Sequence, residues 1–185
     1  IHGNLAGSGN GGGIAAARVN GVDVDTLPQS LWYRLNIFNN VISNNVAAMA
    51  GAGIWLQDVA AGSIIHNTVA HNDSTATAAS AFSPGNTVQT NPQPAGIVSE
   101  FHSAELQAAF PLGLEQLYSD PDLANNIVWL NRSFYWDATV NSNKGGLVAA
   151  APSYHDLAVK SADPTHVLHP MNSVLTDPTG YDPSN

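Results

Sequence analysis

The sequence predicts an all-β protein built as a parallel β-solenoid, in which short strands stack on their equivalents in successive coils. Two repeated patterns support this prediction. The segment IFNNVISNN at 37–45 recurs as IIHNTVAHN at 64–72, an offset of 27 residues. A glycine-containing motif that ends in an aliphatic residue also recurs, as GGGI, GAGI and PAGI. Glycine followed by alternating apolar residues is typical of a tight turn that enters a strand.

The length of the repeat decides between repeat architectures. A unit of 27 residues is too short for a strand–helix–strand unit, which needs about 30 residues or more. It fits one solenoid coil, where equivalent strands lie about 4.8 Å apart and like side chains stack. A third copy, LANNIVWLN, begins at Leu123, and the opening IHGN is a partial copy. The predicted inward columns are Ile37, Ile64 and Leu123; Ile1, Ile42, Val69 and Val128; and Ile14, Ile54 and Ile97.

Asparagine recurs at two positions of each copy, five residues apart. We expect these residues at corners between strands, because Asn adopts the left-handed backbone conformation more readily than other non-glycine residues. Stacked amides also hydrogen-bond along a column, as in cross-β structures. The predicted ladder residues are Asn40, Asn67 and Asn126 in one column and Asn45, Asn72 and Asn131 in the other.

With these motifs the chain resembles the right-handed parallel β-helix superfamily, which includes pectate lyases, phage tailspikes and bacterial surface proteins. The GGGI, GAGI and IFNN elements are also similar to the short repeats of polymorphic outer-membrane proteins. The resemblance covers residues 1–72 and 95–148. It implies a right-handed parallel β-helix of about four to five coils with loop and short helical insertions. Such motifs are structural and occur in proteins of many different activities.

The repeat also predicts the domain organisation. We expect a single β-helix domain over 1–185, as a fragment of a longer chain, because Ile1 begins within a motif. Coils interrupted by insertions are expected over 1–160, with a short helix from Ala104 to Phe110 in the last insertion. The predicted insertions are 18–33, 72–94 and 99–122, and the predicted loop-like tail is 161–185.

Composition excludes several classes of partner. The net charge is −9 with only five Lys and Arg, which disfavours nucleic acid and anionic membrane surfaces. The chain has no run of about 18 apolar residues, so we expect no membrane insertion. It has no cysteine, which excludes disulfides and thiolate metal sites. The expected partners are the remainder of a longer chain or another subunit at the solenoid ends, where strand edges are unpaired, and a glycan.

Aromatic residues are the candidate ligand-binding groups. They are predicted to form an exposed platform along one face, of the kind on which sugars stack. The alternative is that they cap the core or contact another part of the protein. The candidates are Trp32, Tyr33, Trp55, Trp129, Tyr135 and Trp136.

Two pairs of carboxylates are candidate metal ligands. Asp23 and Asp25 alternate, so on a strand both face one side, and Asp120 and Asp122 flank a proline in a predicted turn. Each pair offers the oxygen ligands that Ca²⁺ prefers; the alternative is that they are solvated loop residues. No other cofactor is expected. The repeat also aligns Arg18 with Asp58 on neighbouring coils, which predicts a surface ion pair.

The functional expectation is a secreted or cell-surface bacterial protein with a structural, adhesive or carbohydrate-binding role. One alternative is a polysaccharide lyase or glycoside hydrolase acting on an extracellular polysaccharide. Another is a self-assembling structural module. The sequence assigns no catalytic residue, so whether the protein is an enzyme stays open at this point. In each case the insertions, rather than the repeats, are where function is expected.

Overall fold

The computed structural model describes residues 1–181, which form mostly short β-strands with three short helices and two 3₁₀ turns. The helices are α1 (Val22–Thr26), α2 (Ala104–Ala109) and α3 (Val140–Asn143), and the 3₁₀ turns are Gln29–Leu31 and Ala79–Ala81. The strands are β1 (Leu5–Ala6), β2 (Ile14–Ala17), β3 (Leu35–Phe38), β4 (Val41–Ser43), β5 (Val46–Ala47), β6 (Ile54–Gln57), β7 (Gly62–Ile65), β8 (Thr68–Ala70), β9 (Asp73–Ser74), β10 (Ile97–Ser99), β11 (Asp122–Ala124), β12 (Ile127–Trp129), β13 (Arg132–Asp137), β14 (Gly146–Tyr154), β15 (Leu157–Val159), β16 (Pro170–Met171) and β17 (Val174–Leu175).

The strands form four sheets and, apart from the β13–β14 pair, successive strands along the chain belong to successive sheets. Three sheets have four parallel strands each, in the orders β2–β6–β10–β15, β3–β7–β11–β16 and β4–β8–β12–β17. The fourth has the order β1–β5–β9–β13–β14, with only the last pair antiparallel. This arrangement of stacked parallel strands is consistent with a β-solenoid, as the repeat predicts.

The aliphatic columns fill the interior in the expected registers. Ile37 pairs with Ile64, which pairs with Leu123, and all three are buried. The other two columns pair in the same way and extend to Leu157 and Leu175. Two column ends are less buried: Ile14 is partly buried, and Ile1 is 47% exposed.

The corners differ from the prediction in one respect. The left-handed residue is the one that precedes each ladder asparagine, as with Asn39 (φ 57°), His66 (φ 58°) and Leu130 (φ 53°). The expectation that the ladder asparagines themselves adopt this conformation is therefore wrong. The preceding residue makes the turn, and the asparagine side chain bonds to the neighbouring coils.

The asparagines hydrogen-bond from coil to coil. Asn45 donates both its backbone N–H and its Nδ2 to the Oδ1 of Asn72, each over 3.0 Å. Asn72 donates in the same way to Asn131, over 3.2 and 2.9 Å. Asn131 donates to Oδ1 of Asp156, which ends this column. The second column runs through Asn40, Asn67 and Asn126 and ends on the Ser173 hydroxyl.

The prediction of a loop-like tail after residue 160 is wrong for part of that segment. Strands β16 and β17 lie within it and add a fourth member to two of the sheets. The solenoid therefore continues through Leu175; residues 182–185 of the predicted tail lie outside the described residues. None of the helices within 1–181 is long and apolar enough to cross a membrane.

Two insertions pack on each other outside the main core. The first contains α1 and a 3₁₀ turn, and the second contains α2, whose N-cap Ser103 accepts a hydrogen bond from the Leu106 N–H over 3.3 Å. Their apolar side chains form a separate cluster. Its buried members are Val24, Trp32, Ala60, Ala61, Leu106 and Phe110.

Candidate functional site

A pocket of about 600 Å³ lies between the first insertion and helix α2. Residues 18–23, Asp25 and Tyr33 line one side of it, and Ser103, Glu105, Leu106 and Ala109 line the other, with Asp58 between them. Both insertions therefore contribute to one concave site on the side of the solenoid. Concave sites with apolar walls and a few polar groups are the usual places for small ligands to bind.

The side chain of Asp23 links the two ends of the first insertion by hydrogen bonds. Its carboxylate accepts hydrogen bonds from the Gly21 N–H (2.7 Å), the Asn20 Nδ2 (2.7 Å) and the Tyr33 N–H (3.0 Å). Burial by itself raises the pKa of Asp23, but these hydrogen bonds outweigh it and hold the pKa below its ordinary value. The charged carboxylate thus ties the beginning of the loop to its end.

Asp23 and Asp25 do not form the predicted pair. They lie on helix α1 and not on a strand, and Asp23 is buried while Asp25 is exposed. The expectation that both face one side is wrong, because residues two apart on a helix point in different directions. Of this pair, only Asp25 offers an unburied carboxylate to the pocket.

Trp32 and Tyr33 have opposite environments although they are adjacent. The Trp32 ring is 4% exposed, packs edge-on against Phe110 at 5.8 Å and donates its Nε1–H to the Leu27 carbonyl over 3.1 Å. It anchors the insertion and is not part of an exposed platform. Tyr33 is 60% exposed at the pocket. Tyr33 is therefore the predicted aromatic residue that is available to a ligand there.

Asp58 anchors the second insertion. The Arg18 N–H donates to the carbonyl of Gln57, so the register brings Arg18 next to Asp58 as the repeat predicts. The Asp58 carboxylate nevertheless accepts the Ser103 N–H over 2.7 Å, and the ion pairs found in residues 1–181 include none with Arg18. The predicted Arg18–Asp58 ion pair is wrong, because Asp58 turns toward α2.

His102 lies behind the pocket wall, next to Asp58. It is 4% exposed, and neither ring nitrogen has a hydrogen-bond partner among the described residues. Its Nδ1 lies 3.7 Å from the Asp58 carboxylate, and its ring is 5.6 Å from that of Phe110. Burial lowers the pKa of His102 more strongly than Asp58 and the side chain of Gln116 together raise it. We therefore assign the neutral imidazole at pH 7.

The remaining predicted aromatics are not brought together. Trp55 is on β6, Trp129 on β12, and Tyr135 and Trp136 on β13, which places them in three different sheets. Trp129 is 37% exposed, while the other three are partly buried. A ligand role for these four stays a prediction, but none of them lines the pocket that contains Tyr33.

The second carboxylate pair borders another groove. Asp120 contacts His169 Nδ1 at 3.0 Å, and Asp122 lies 3.7 Å from Arg34, with the Ser63 hydroxyl between them. Burial raises the pKa of Asp120 above its ordinary value, and His169 opposes this. Residues 1–181 contain no group of three or more His, Asp or Glu side chains arranged to hold a metal ion. Calcium binding at either predicted pair stays a prediction.

Sequence reasoning missed several residues in the pocket wall and behind it. Glu105 and His102 lie in a non-repeating insertion, so no alignment of the chain with itself singles them out. Asn20 carries a weak signal, because an Asn-Gly step is typical of a turn. Its side chain donates to Asp23, and its Oδ1 accepts the Ala60 N–H over 2.8 Å. Asn20 thereby fixes the first insertion to the coil beneath it.

In comparisons with known proteins, no family model, no curated protein and no solved structure matches the chain.

Proposed function

We propose that the chain is a right-handed parallel β-helix of an extracellular bacterial protein, and that its insertion pocket binds carbohydrate. The exposed Tyr33 ring beside charged side chains supports this most directly. An exposed aromatic ring offers a flat apolar surface to a sugar ring, while carboxylates and a guanidinium offer hydrogen bonds to hydroxyl groups. The insertions are the part of the repeat where per-coil variation is tolerated, which suits a binding site.

The charge of the pocket favours a neutral or cationic sugar. Four carboxylates, those of Asp23, Asp25, Asp58 and Glu105, face or border the pocket against the single guanidinium of Arg18. The whole chain is also acidic, with a net charge of −9. Like charges repel, so a polyanion such as polygalacturonate is disfavoured as the ligand. Neutral oligosaccharides and amino sugars fit better.

The glycan experiment measures binding by isothermal titration with three probes: a neutral oligosaccharide set, a glucosamine oligomer and polygalacturonate. Tyr33→Ala tests the pocket, and Tyr154→Ala is the matched control, because Tyr154 is 42% exposed outside the pocket. We expect Tyr33→Ala to weaken binding about tenfold, which corresponds to about 1.4 kcal/mol for one lost aromatic contact. Absence of binding to every probe, or equal loss in both variants, contradicts the proposal.

Glycoside hydrolysis is the second candidate. Glu105 and Asp25 are exposed carboxylates on the two helices that border the pocket. Two carboxylates across a site are the minimum that this reaction needs. Release of reducing ends from a bound oligosaccharide, lost in Asp25→Asn and Glu105→Gln, would establish the activity. Binding without release leaves a binding or adhesive role.

A further inference from the structure

Strand β14 is the longest strand at the end of any of the four sheets. It has nine residues, whereas the other strands at sheet ends have two to four. It pairs on one side with β13 and is the last strand in its sheet. Proteins normally keep edge strands short or place charges on them, because a free edge pairs with other chains. Strand β14 is long and uncharged, and its register with β13 is regular over 146–149, before the break that precedes Tyr154 and contains Pro152. The unprotected part of the edge is therefore 146–149.

The backbone of β14 offers hydrogen-bonding groups on its free side. Trp136 is opposite Leu147, yet its N–H and C=O bond to Thr90 on the far side of β13, over 2.7 and 3.0 Å. Trp136 and Leu147 therefore form a non-hydrogen-bonded pair of the antiparallel ladder. The N–H and C=O of Leu147, and by alternation those of Ala149, point away from β13. Both residues are exposed.

The charge pattern of this edge suits a second copy of the same chain. Two copies with a net charge of −9 each repel one another over most of their surfaces. Residues 145–155 read GGLVAAAPSYH and contain no Asp, Glu, Lys or Arg.

We propose that β14 pairs antiparallel with β14 of a second copy, which forms a two-fold symmetric dimer through a sheet continuous across both subunits. An antiparallel pair of identical strands satisfies two-fold symmetry, because each residue meets its partner in both directions. The exposed backbone groups of Leu147 and Ala149 supply the first hydrogen bonds, and Leu147, 49% exposed, supplies apolar contact. The register with β13 breaks after Ala149, so the paired stretch is centred on residues 146–149.

The experiment measures the dissociation constant of the dimer by analytical ultracentrifugation of the full chain. Leu147→Lys places a charge on the proposed edge, and Leu112→Lys, at a residue 96% exposed in a loop, is the matched control. Ala149→Pro removes an N–H that points to the free side. We expect Leu147→Lys and Ala149→Pro to weaken the dimer by at least about tenfold. Leu112→Lys leaves it unchanged, and added salt strengthens it by screening the repulsion between copies.

Hydrogen exchange gives a second readout that needs no variant. The Leu147 and Ala149 N–H groups should become protected as protein concentration rises, and the Val148 N–H, which faces β13, should not change. A wild-type chain that stays monomeric overturns the proposal. So does a dimer that survives both edge substitutions. If Ala149→Pro fails to fold, Leu147→Lys and the exchange data decide.

Discussion

The repeated corners and the insertion side of this molecule differ in how completely their buried polar groups are hydrogen-bonded. At the corners, Asn45, Asn72 and Asn131 are fully buried, and each side chain both gives and receives hydrogen bonds. On the insertion side the Asp23 and Asp58 carboxylates are hydrogen-bonded, but neither ring nitrogen of the buried His102 has a hydrogen bond within 1–181. An unpaired buried polar group costs free energy. From this difference we expect the corners to contribute more to the free energy of unfolding than the insertion side does.

Asparagines at equivalent corners also differ in how deeply they are buried. Asn72 lies in the middle of its column, with Asn45 on one side and Asn131 on the other. Asn40 begins the second column and is partly exposed. Water can replace the bonds of Asn40 but cannot reach those of Asn72. The same residue type at equivalent corners should therefore differ in its contribution to the free energy of unfolding.

Substituting Asn72 should have the largest effect. Asn72→Ala removes the acceptor of the Asn45 N–H and Nδ2 and the donor to the Ile42 carbonyl, and leaves these groups buried. We expect a loss of about 3–4 kcal/mol in the free energy of unfolding, measured by urea denaturation. The matched control, Asn40→Ala, should cost about 1 kcal/mol. Equal losses in the two variants would show that burial does not set the contribution of a corner.

Substituting Asp23 should have a smaller effect, confined to the first insertion. Asp23→Asn replaces a charged acceptor of three hydrogen bonds and should cost about 2 kcal/mol at pH 7. Because the folded pKa of Asp23 lies below its ordinary value of 3.8, its contribution is present above that pH and is lost as the pH falls through the folded pKa. Urea denaturation between pH 7 and pH 2 measures this. The control Asp25→Asn, at the exposed neighbour, should leave stability almost unchanged.

His102 should produce the smallest effect, visible as a pH dependence. Its folded pKa lies below the ordinary value of 6.5, so the unfolded chain takes up a proton first as the pH falls. Stability should therefore decrease from pH 6.5 downward until the folded pKa is reached. His102→Leu should flatten this part of the profile, and the exposed control His2→Gln should not. An unchanged slope in His102→Leu would show that the imidazole is hydrated in solution.

The sequence predicted the parts of this molecule that repeat. The three aliphatic columns and the asparagine positions follow from alignment of the chain with itself, because stacked coils place like residues in contact. The ends of the ladders were missed because Asp156 and Ser173 are not asparagines. Ser173 does carry a signal, since PMNSVL at 170–175 matches the repeat with Ser in the asparagine position.

The candidate site was less predictable from the sequence. The insertions at 18–33 and 99–122 were identified, but their contact with each other depends on packing that no repeat encodes. Trp32 and Tyr33 show the limit most clearly. Adjacent aromatic residues look equivalent in a sequence, yet the cluster around Phe110 buries one ring and leaves the other exposed.

Native-state hydrogen exchange of the wild-type chain tests most directly whether stability resides in the corners and not in the insertion side. The N–H groups of Asn45, Asn72 and Asn131 should exchange only through global unfolding, with the full free energy of unfolding. Those of Val24, Tyr33 and Ser103 should exchange through local opening at a clearly lower free energy. Equal opening free energies for the two groups would contradict the account.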